Sequence, residues 1–421
     1  MNTTVLLDRR PAEDGLRIRM LLRIEGSPPP AGTRTPLDLA LVLDRSGSMG
    51  GGKMEAARRA AIEVVRRLWP ADRVSVVAYD DEVLTLAARV EGGDEPGLTH
   101  RIGALFPRNS TNLSGGWLRG RELLVADGDG RRIRRIVLLT DGLANVGVTD
   151  PDRLASLCAR SRNEGVSTTT IGFGTDYDER LLRSMAEAGG GGTYYIEHPD
   201  QAVAIFQDEL SDLLGTCAQN VAVTLRPADG VRSVRVRHAY PGSATPEGVR
   251  YDMGDLYARE PRLLLAEFTL ARTASEAVTV ATITITADVI EDDDVRHVTI
   301  TLPVTVDAHG VPATEPTIER EALLLDAADA REQALEDRAR GDFDSANLRL
   351  SSTLGRLRAA GLSDEQVLAE IEDLDALSAA PPASMASEAN AKYLYQRAYE
   401  RKTGRSRKQA LTDRKRRDDG V

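Results

Sequence analysis

Four stretches of this chain, 37–44, 73–79, 134–140 and 168–173, are near-continuous runs of apolar and β-branched residues, and helical patterns separate them. A strand can be apolar without alternation only when both its faces are covered, and in a single chain that takes crossover helices. The spacing predicts helices over about 53–68, 97–106, 113–126, 151–164 and 178–188, with a closing helix over 199–214. A short strand at 82–88 is expected to pair back across Asp80-Asp81, and Tyr194-Tyr195-Ile196 to form a last strand after residues 189–192. The fold class that follows is α/β, a doubly wound and mostly parallel sheet.

On either side of this region the period changes. Residues 3–8 and 15–25 read as two strands, the second alternating through Leu16, Ile18, Met20 and Leu22, with Glu13-Asp14-Gly15 as the turn between them and Ser27-Pro28-Pro29-Pro30 closing the segment. From 219 to 307 the period is two again, with strand candidates at Val221-Val223-Leu225, Val234-Val236, Leu263-Leu265, 278–285 and 298–306. This reads as an antiparallel β-sandwich completed by the two leading strands, with the α/β region inserted between them. After Pro312 and Pro316 the chain turns helical. A helix over 318–340 ends at Gly341, and a second runs from Asp342-Phe343-Asp344 to Gly361. A third is opened by a Ser363-Asp-Glu-Gln366 capping box. Leu323, Leu324, Ala327, Ala330 and Ala334 form one apolar stripe, and Ala346, Leu350, Leu354 and Leu357 another. Pro381-Pro382 marks a linker, and a helix over about 386–402 leads into a basic tail, Arg401 to Arg417.

Composition narrows the class of function. The 421 residues carry a net charge of −11 although the last 21 hold nine Lys/Arg against three Asp, so the body is strongly acidic and nucleic acid is disfavoured as its main partner. Nine basic residues without interleaved aromatics read as a solvated tail. Cys158 and Cys217, each in a helical pattern, look like buried small hydrophobes and not a disulfide framework. The five histidines show no paired zinc spacing. With no signal-peptide h-region and no membrane-length apolar run, a cytoplasmic protein without membrane contact is expected.

The chemistry is concentrated at the ends of the predicted strands. Asp44-Arg45-Ser46-Gly47-Ser48 follows the run 37–43 and delivers a carboxylate and two hydroxyls onto a loop that opens a helix at Lys53. Thr111 lies in Asn109-Ser110-Thr111-Asn112 just before a helix, and Asp141 ends a second apolar strand in Thr140-Asp141-Gly142. Open α/β sheets place their ligand crevice at these strand ends. Hard oxygen ligands of this kind suit Mg²⁺, with Mn²⁺ or Ca²⁺ as alternatives, rather than zinc. A rival motif overlaps the loop: Gly47 to Lys53 satisfies G-x-x-x-x-G-K. Met54, however, stands where a P-loop needs a hydroxyl for Mg²⁺, and the reading leaves Ser46 and Thr111 without a role. A phosphohydrolase would need a second Asp in the first loop. In Gly174-Thr-Asp-Tyr-Asp178, Asp176 and Asp178 are expected to cap the next helix.

D-x-S-x-S, then a Thr, then T-D-G resembles the metal-ion-dependent adhesion site of von Willebrand factor A domains, over about 37–214 and including the Gly-Gly-Thr-Tyr-Tyr strand near residue 193. The wider layout resembles bacterial cytosolic proteins of this family, whose last helix here holds Lys392 to Gln396. The resemblance implies domains at 1–35 (strands joining the sandwich), 36–216 (the A domain), 217–310 (the sandwich), 316–380 (helical) and 384–421 (final helix and tail). It implies that Asp44, Ser46, Ser48, Thr111 and Asp141 hold a Mg²⁺ ion, directly or through water, with one position open to a Glu or Asp of a partner protein. The expected function is metal-dependent protein binding, with a P-loop-like NTPase or a phosphohydrolase as the alternative. Arg45, between two of these positions, is expected to point outward as a solvated side chain.

Overall fold

The computed structural model describes residues 1–12, 15–27, 34–92, 97–126, 132–174, 176–258, 260–270, 277–291, 294–307, 314–379 and 388–404. The turn residues Glu13-Asp14, Pro28 to Pro30, the 381–384 linker and most of the basic tail lie outside them.

Along the central region the elements run β3 (Leu37–Asp44), α1 (Lys53–Arg67), β4 (Arg73–Tyr79), β5 (Val83–Glu91), α2 (Leu98–Gly103), α3 (Leu113–Val125), β6 (Ile133–Thr140), α4 (Pro151–Asn163), β7 (Val166–Phe173), α5 (Glu179–Ala188), β8 (Gly190–Ile196) and α6 (Ala202–Leu214). The strands form one six-stranded sheet in the order β5-β4-β3-β6-β7-β8, parallel except for β5. Every residue of β3 and β7 is buried, as sequences without alternation require. Leu37, Leu39, Leu41 and Leu43 meet α1, α2 and α6 on one face, while Ala40 and Val42 meet α3, α4 and α5 on the other. On that second face α3 approaches closely through Gly116 and Gly120. A Cβ at Gly116 would lie 2.5 Å from the Tyr79 ring, and one at Gly120 2.8 Å from Val42. This close seat fixes the start of α3, immediately after Thr111.

The flanking strands are β1 (Asn2–Ala12), β2 (Gly15–Glu25), β9 (Thr216–Pro227), β10 (Val231–Val236), β11 (Gly242–Thr245), β12 (Gly248–Tyr257), β13 (Arg262–Leu270), β14 (Ala277–Glu291) and β15 (Asp294–Asp307). They form two sheets, β1-β2-β13-β10 and β11-β12-β9-β14-β15, around a shared apolar core. β2 pairs with β13 from Leu16↔Leu270 to Ile24↔Arg262, so strands on either side of the α/β region in the chain are neighbours in one sheet. The helices α7 (Pro316–Ala339), α8 (Phe343–Ala359), α9 (Glu365–Ala379) and α10 (Glu388–Lys402) follow. α7 carries Ile318, Ala322 and Leu325 against Leu21 and Leu265, the outer face of the first sheet. Its stripe Leu323, Leu324, Ala327 and Ala334 packs on Ala346, Leu350, Leu354 and Leu357. α10 returns to the α/β sheet, where Gln396 donates to the backbone oxygen of Thr193 on the edge strand β8 at 2.8 Å.

Several local expectations change. Cys217 lies on β9 and not in a helix, because the sandwich strand begins directly after α6. The third C-terminal helix is capped by Asp364, whose Oδ1 accepts from Gln366 N and Val367 N, and not by Ser363. α2 stops at Gly103, short of residue 106. The strands β11 and β12 have no counterpart in the expectation, since Gly, Ser, Arg and Asp interrupt their apolar period.

Candidate metal centre

The register of the sheet sets the site. Asp44 ends β3 level with Tyr79 of β4, Leu43 is level with Leu139 of β6, and Asp141 follows β6 by one residue. Both carboxylates are fully buried. The two Asp44 oxygens are held separately: Oδ1 accepts from Ser46 N at 2.7 Å and Oδ2 from Thr140 Oγ1 at 2.6 Å. Burial pushes the Asp44 carboxyl up to about 6; the hydrogen bonds from Thr140 and Ser46 oppose this, and the charge of Asp141 adds to it.

After Asp44 the backbone makes a short 3-10 turn at Gly47–Met49, which brings Ser48 Oγ to 3.1 Å from Ser46 Oγ and lets it donate to Asp141 Oδ1 at 2.7 Å. Thr111 arrives from the other side. Gly47 N donates to Asn109 O, Arg108 N to Arg45 O, and Thr111 N to the Asn145 side-chain oxygen at 2.8 Å. A Cβ built on Gly142 would lie 3.2 Å from Ser48 Oγ and 3.6 Å from Thr111 Oγ1, so the glycine keeps a small space at which both hydroxyls converge beside Asp141. All five candidate ligands are therefore brought to one place. Two carboxylates and three hydroxyls are a donor set for a hard divalent cation, and they fit Mg²⁺. Among the described residues no cluster of three or more His, Cys, Asp or Glu side chains is placed to hold a metal.

Arg45 departs from expectation. It is buried at 6% exposure, with its guanidinium 3.1 Å from Asp80 Oδ2. Asp80 is fully buried at the end of β4 and needs a countercharge; Arg108 supplies the second, at 2.9 Å. Because Arg45 N also donates to Tyr79 O, residue 45 faces β4 and not solvent. The Arg45–Asp80–Arg108 group braces the loop that carries Thr111, and Asn112 N donates to Asp80 O. Two residues outside the expected ligand set acquire roles: Thr140 orients Asp44, and Lys53 Nζ donates to Asp141 Oδ2 at 2.6 Å. Asp178 caps α5 through Leu181 N.

The loop departs from a phosphate cradle at several positions. The amides of Gly47, Met49 and Gly50 donate to Asn109 O, Ser46 O and Gly47 O, and Met54 is buried in the core on the inner face of α1. Three amides of the would-be phosphate loop are thus already bonded within the fold.

Residues 38–208 match the family model of the von Willebrand factor type A domain. The uncharacterized protein sll0103 of Synechocystis sp. is 27% identical over 69% of this chain and 71% of its own length. The uncharacterized protein YfbK of Escherichia coli is 26% identical over 55% of this chain, and the match spans 42% of that relative's length. Among solved structures, a von Willebrand factor type A protein from Catenulispora acidiphila superposes with a TM-score of 0.71 at 18% identity, covering 94% of this chain and 96% of that one. The likeness to that structure extends over the sandwich and the C-terminal helices as well as the central sheet.

Proposed function

Residues 38–208 being a von Willebrand factor type A domain, a module that generally serves protein–protein interaction, we propose that here it binds its partner through Mg²⁺ and is not a catalyst. Asp44, Ser46, Ser48, Thr111 and Asp141 would hold the ion, which when bound supplies a Lewis-acidic position for one oxygen of a partner's Glu or Asp. The observation that carries this reading is that the Ser48 and Thr111 hydroxyls border the space kept by Gly142, with Asp141 bonded to Ser48 and the Ser46 hydroxyl 3.1 Å from that of Ser48. Two carboxylates balance a divalent ion without adding excess negative charge, so an anionic oxygen can still take the open position at contact distance. The protein does the positioning: Thr140 and Ser46 N fix Asp44, and the Arg45–Asp80–Arg108 group fixes the Thr111 loop. A cytoplasmic setting belongs to the same reading, in keeping with two buried free thiols. No helix among the described residues is long and apolar enough to cross a membrane.

Affinity capture on the full chain, with Mg²⁺ and again with EDTA, tests it. A protein retained by wild type with Mg²⁺, and lost both with EDTA and with Asp44→Ala, is the expected result. Capture that ignores both changes would place binding on the sandwich or the helices. The bonded loop amides disfavour the NTPase alternative, and thermal stabilisation by ATP with Mg²⁺ would revive it.

A further inference from the structure

Lys53 stands at a corner of the site, and the binding mechanism above does not use it. Its ammonium donates to Asp141 Oδ2 at 2.6 Å, while Asp141 Oδ1 accepts from Ser48. As the first residue of α1 it rises from a helix whose inner face, Met54, Ala56, Ala57 and Ala60, is buried, so its backbone is fixed. Its side chain is 21% exposed and runs beside the end of β7, where a Cβ on Gly174 would lie 3.4 Å from both Cε and Nζ. The ammonium is thus held between the loops after β6 and β7. Arg45, its neighbour in the first loop, is turned away to Asp80.

Resting on the metal-binding reading, we propose that Lys53 sets the affinity of the site: its ammonium and the divalent ion compete for the Asp141 carboxylate, and the site consequently takes its ion loosely and exchangeably. Asp44 has one oxygen committed to Thr140 and the other to Ser46 N. Asp141 therefore bears most of the competition, with Ser48 on one oxygen and Lys53 on the other. A cation entering beside Ser48 and Thr111 meets a like charge on the far oxygen of its own ligand, and like charges a few ångströms apart repel strongly where little water intervenes. A purely structural lysine would behave differently: its loss would loosen the loops and weaken the metal.

Calorimetric titration of the full chain with Mg²⁺ and with Mn²⁺, for wild type, Lys53→Met, Lys53→Arg and Asp44→Asn, separates these roles. Lys53→Met is expected to bind about tenfold more tightly than wild type, on the scale of one removed charge repulsion. Lys53→Arg should stay near wild type and Asp44→Asn should not bind. Thermal unfolding without added metal confirms that each variant is folded, with Lys53→Gln replacing Lys53→Met if the latter is not. Equal or weaker binding by the charge-removing variant, with wild type binding, overturns the role given to Lys53 and leaves the metal site standing. No binding by wild type and Lys53→Met alike overturns the metal site itself, and this proposal with it.

Discussion

Strand β6 carries a buried charge cluster at each end, and the two have the same charge count but opposite character. Near its start, Arg135 is fully buried. It lies 2.5 Å from Asp255 Oδ2 of the sandwich strand β12 and 4.0 Å from Glu209 of α6. Glu209 in turn accepts from Thr169 Oγ1 at 2.6 Å and from the Tyr194 hydroxyl at 2.5 Å. Just past its end, Asp141 faces Lys53 and lies near Asp44. Two acids and one base stand in each place. At the first the cluster is sealed, with both hydroxyls donating into Glu209, and it joins the α/β region to the sandwich. At the second Ser48 donates to Asp141 and Thr140 to Asp44, yet the Ser48 and Thr111 hydroxyls also border a small space, and Ser48 and Lys53 reach solvent. Charge count does not distinguish a structural cluster from a ligand site; access to solvent and room beside the acids do.

Breaking the sealed cluster should have the largest effect. Arg135→Met leaves Asp255 and Glu209 buried without their countercharge and is expected to cost about 3–5 kcal/mol of stability, with or without Mg²⁺. Chemical denaturation of the variant checks it; a loss under 1 kcal/mol, roughly a surface-pair value, would erase the contrast. Arg45→Ala comes next. It leaves Asp80 with Arg108 alone, at a cost of about 1–3 kcal/mol, and also weakens metal binding because the Thr111 loop loses a brace.

The carboxyl end should answer to pH. Asp44 sits at about 6 against an ordinary 3.8, so the folded chain holds this proton more tightly than the unfolded chain does. Without added cation, this group alone makes the protein less stable as pH rises from 3.8 to about 6. Metal binding must expel that proton, so below pH 6 the Mg²⁺ affinity should fall by about tenfold per unit, while above it the affinity levels off. Titrations at pH 5.5 and 7.5 decide this, and equal affinities would show that Asp44 releases no proton in this range when metal binds. The smallest effect is expected from Gly142→Ala, whose methyl enters the space beside Ser48 and Thr111. A several-fold loss of metal affinity with little change in melting temperature is predicted, and an unchanged affinity would mean that the space is not where the ion sits.

Much of this architecture is legible in the sequence because burial on two faces forbids alternation. The runs of β3, β4, β6 and β7 can be nothing other than covered parallel strands, and a D-x-S-x-S loop at the end of one of them falls where such sheets bind ligands. The legibility ends where a residue's role depends on what lies across from it. Arg45 reads as solvated because Asp80, its partner, sits in a segment that looks like an ordinary turn; the signal was a pair of acids at a strand end. Lys53 reads as the start of a helix, and its distance to Asp141 is set by the neighbouring crossover. Arg135 lies in an apolar run and gives no hint of Asp255, which is 120 residues away on a strand whose period is interrupted. Local pattern specifies elements, and long-range charge pairing does not appear in it.

The most direct test of the central claim is Mn²⁺ binding followed by electron paramagnetic resonance and water-proton relaxation, on wild type and Asp44→Asn. The account predicts a bound Mn²⁺ ion in wild type that still exchanges a water, as an open coordination position requires, and none in the variant. Failure of wild type to bind, or binding that survives Asp44→Asn, would contradict it.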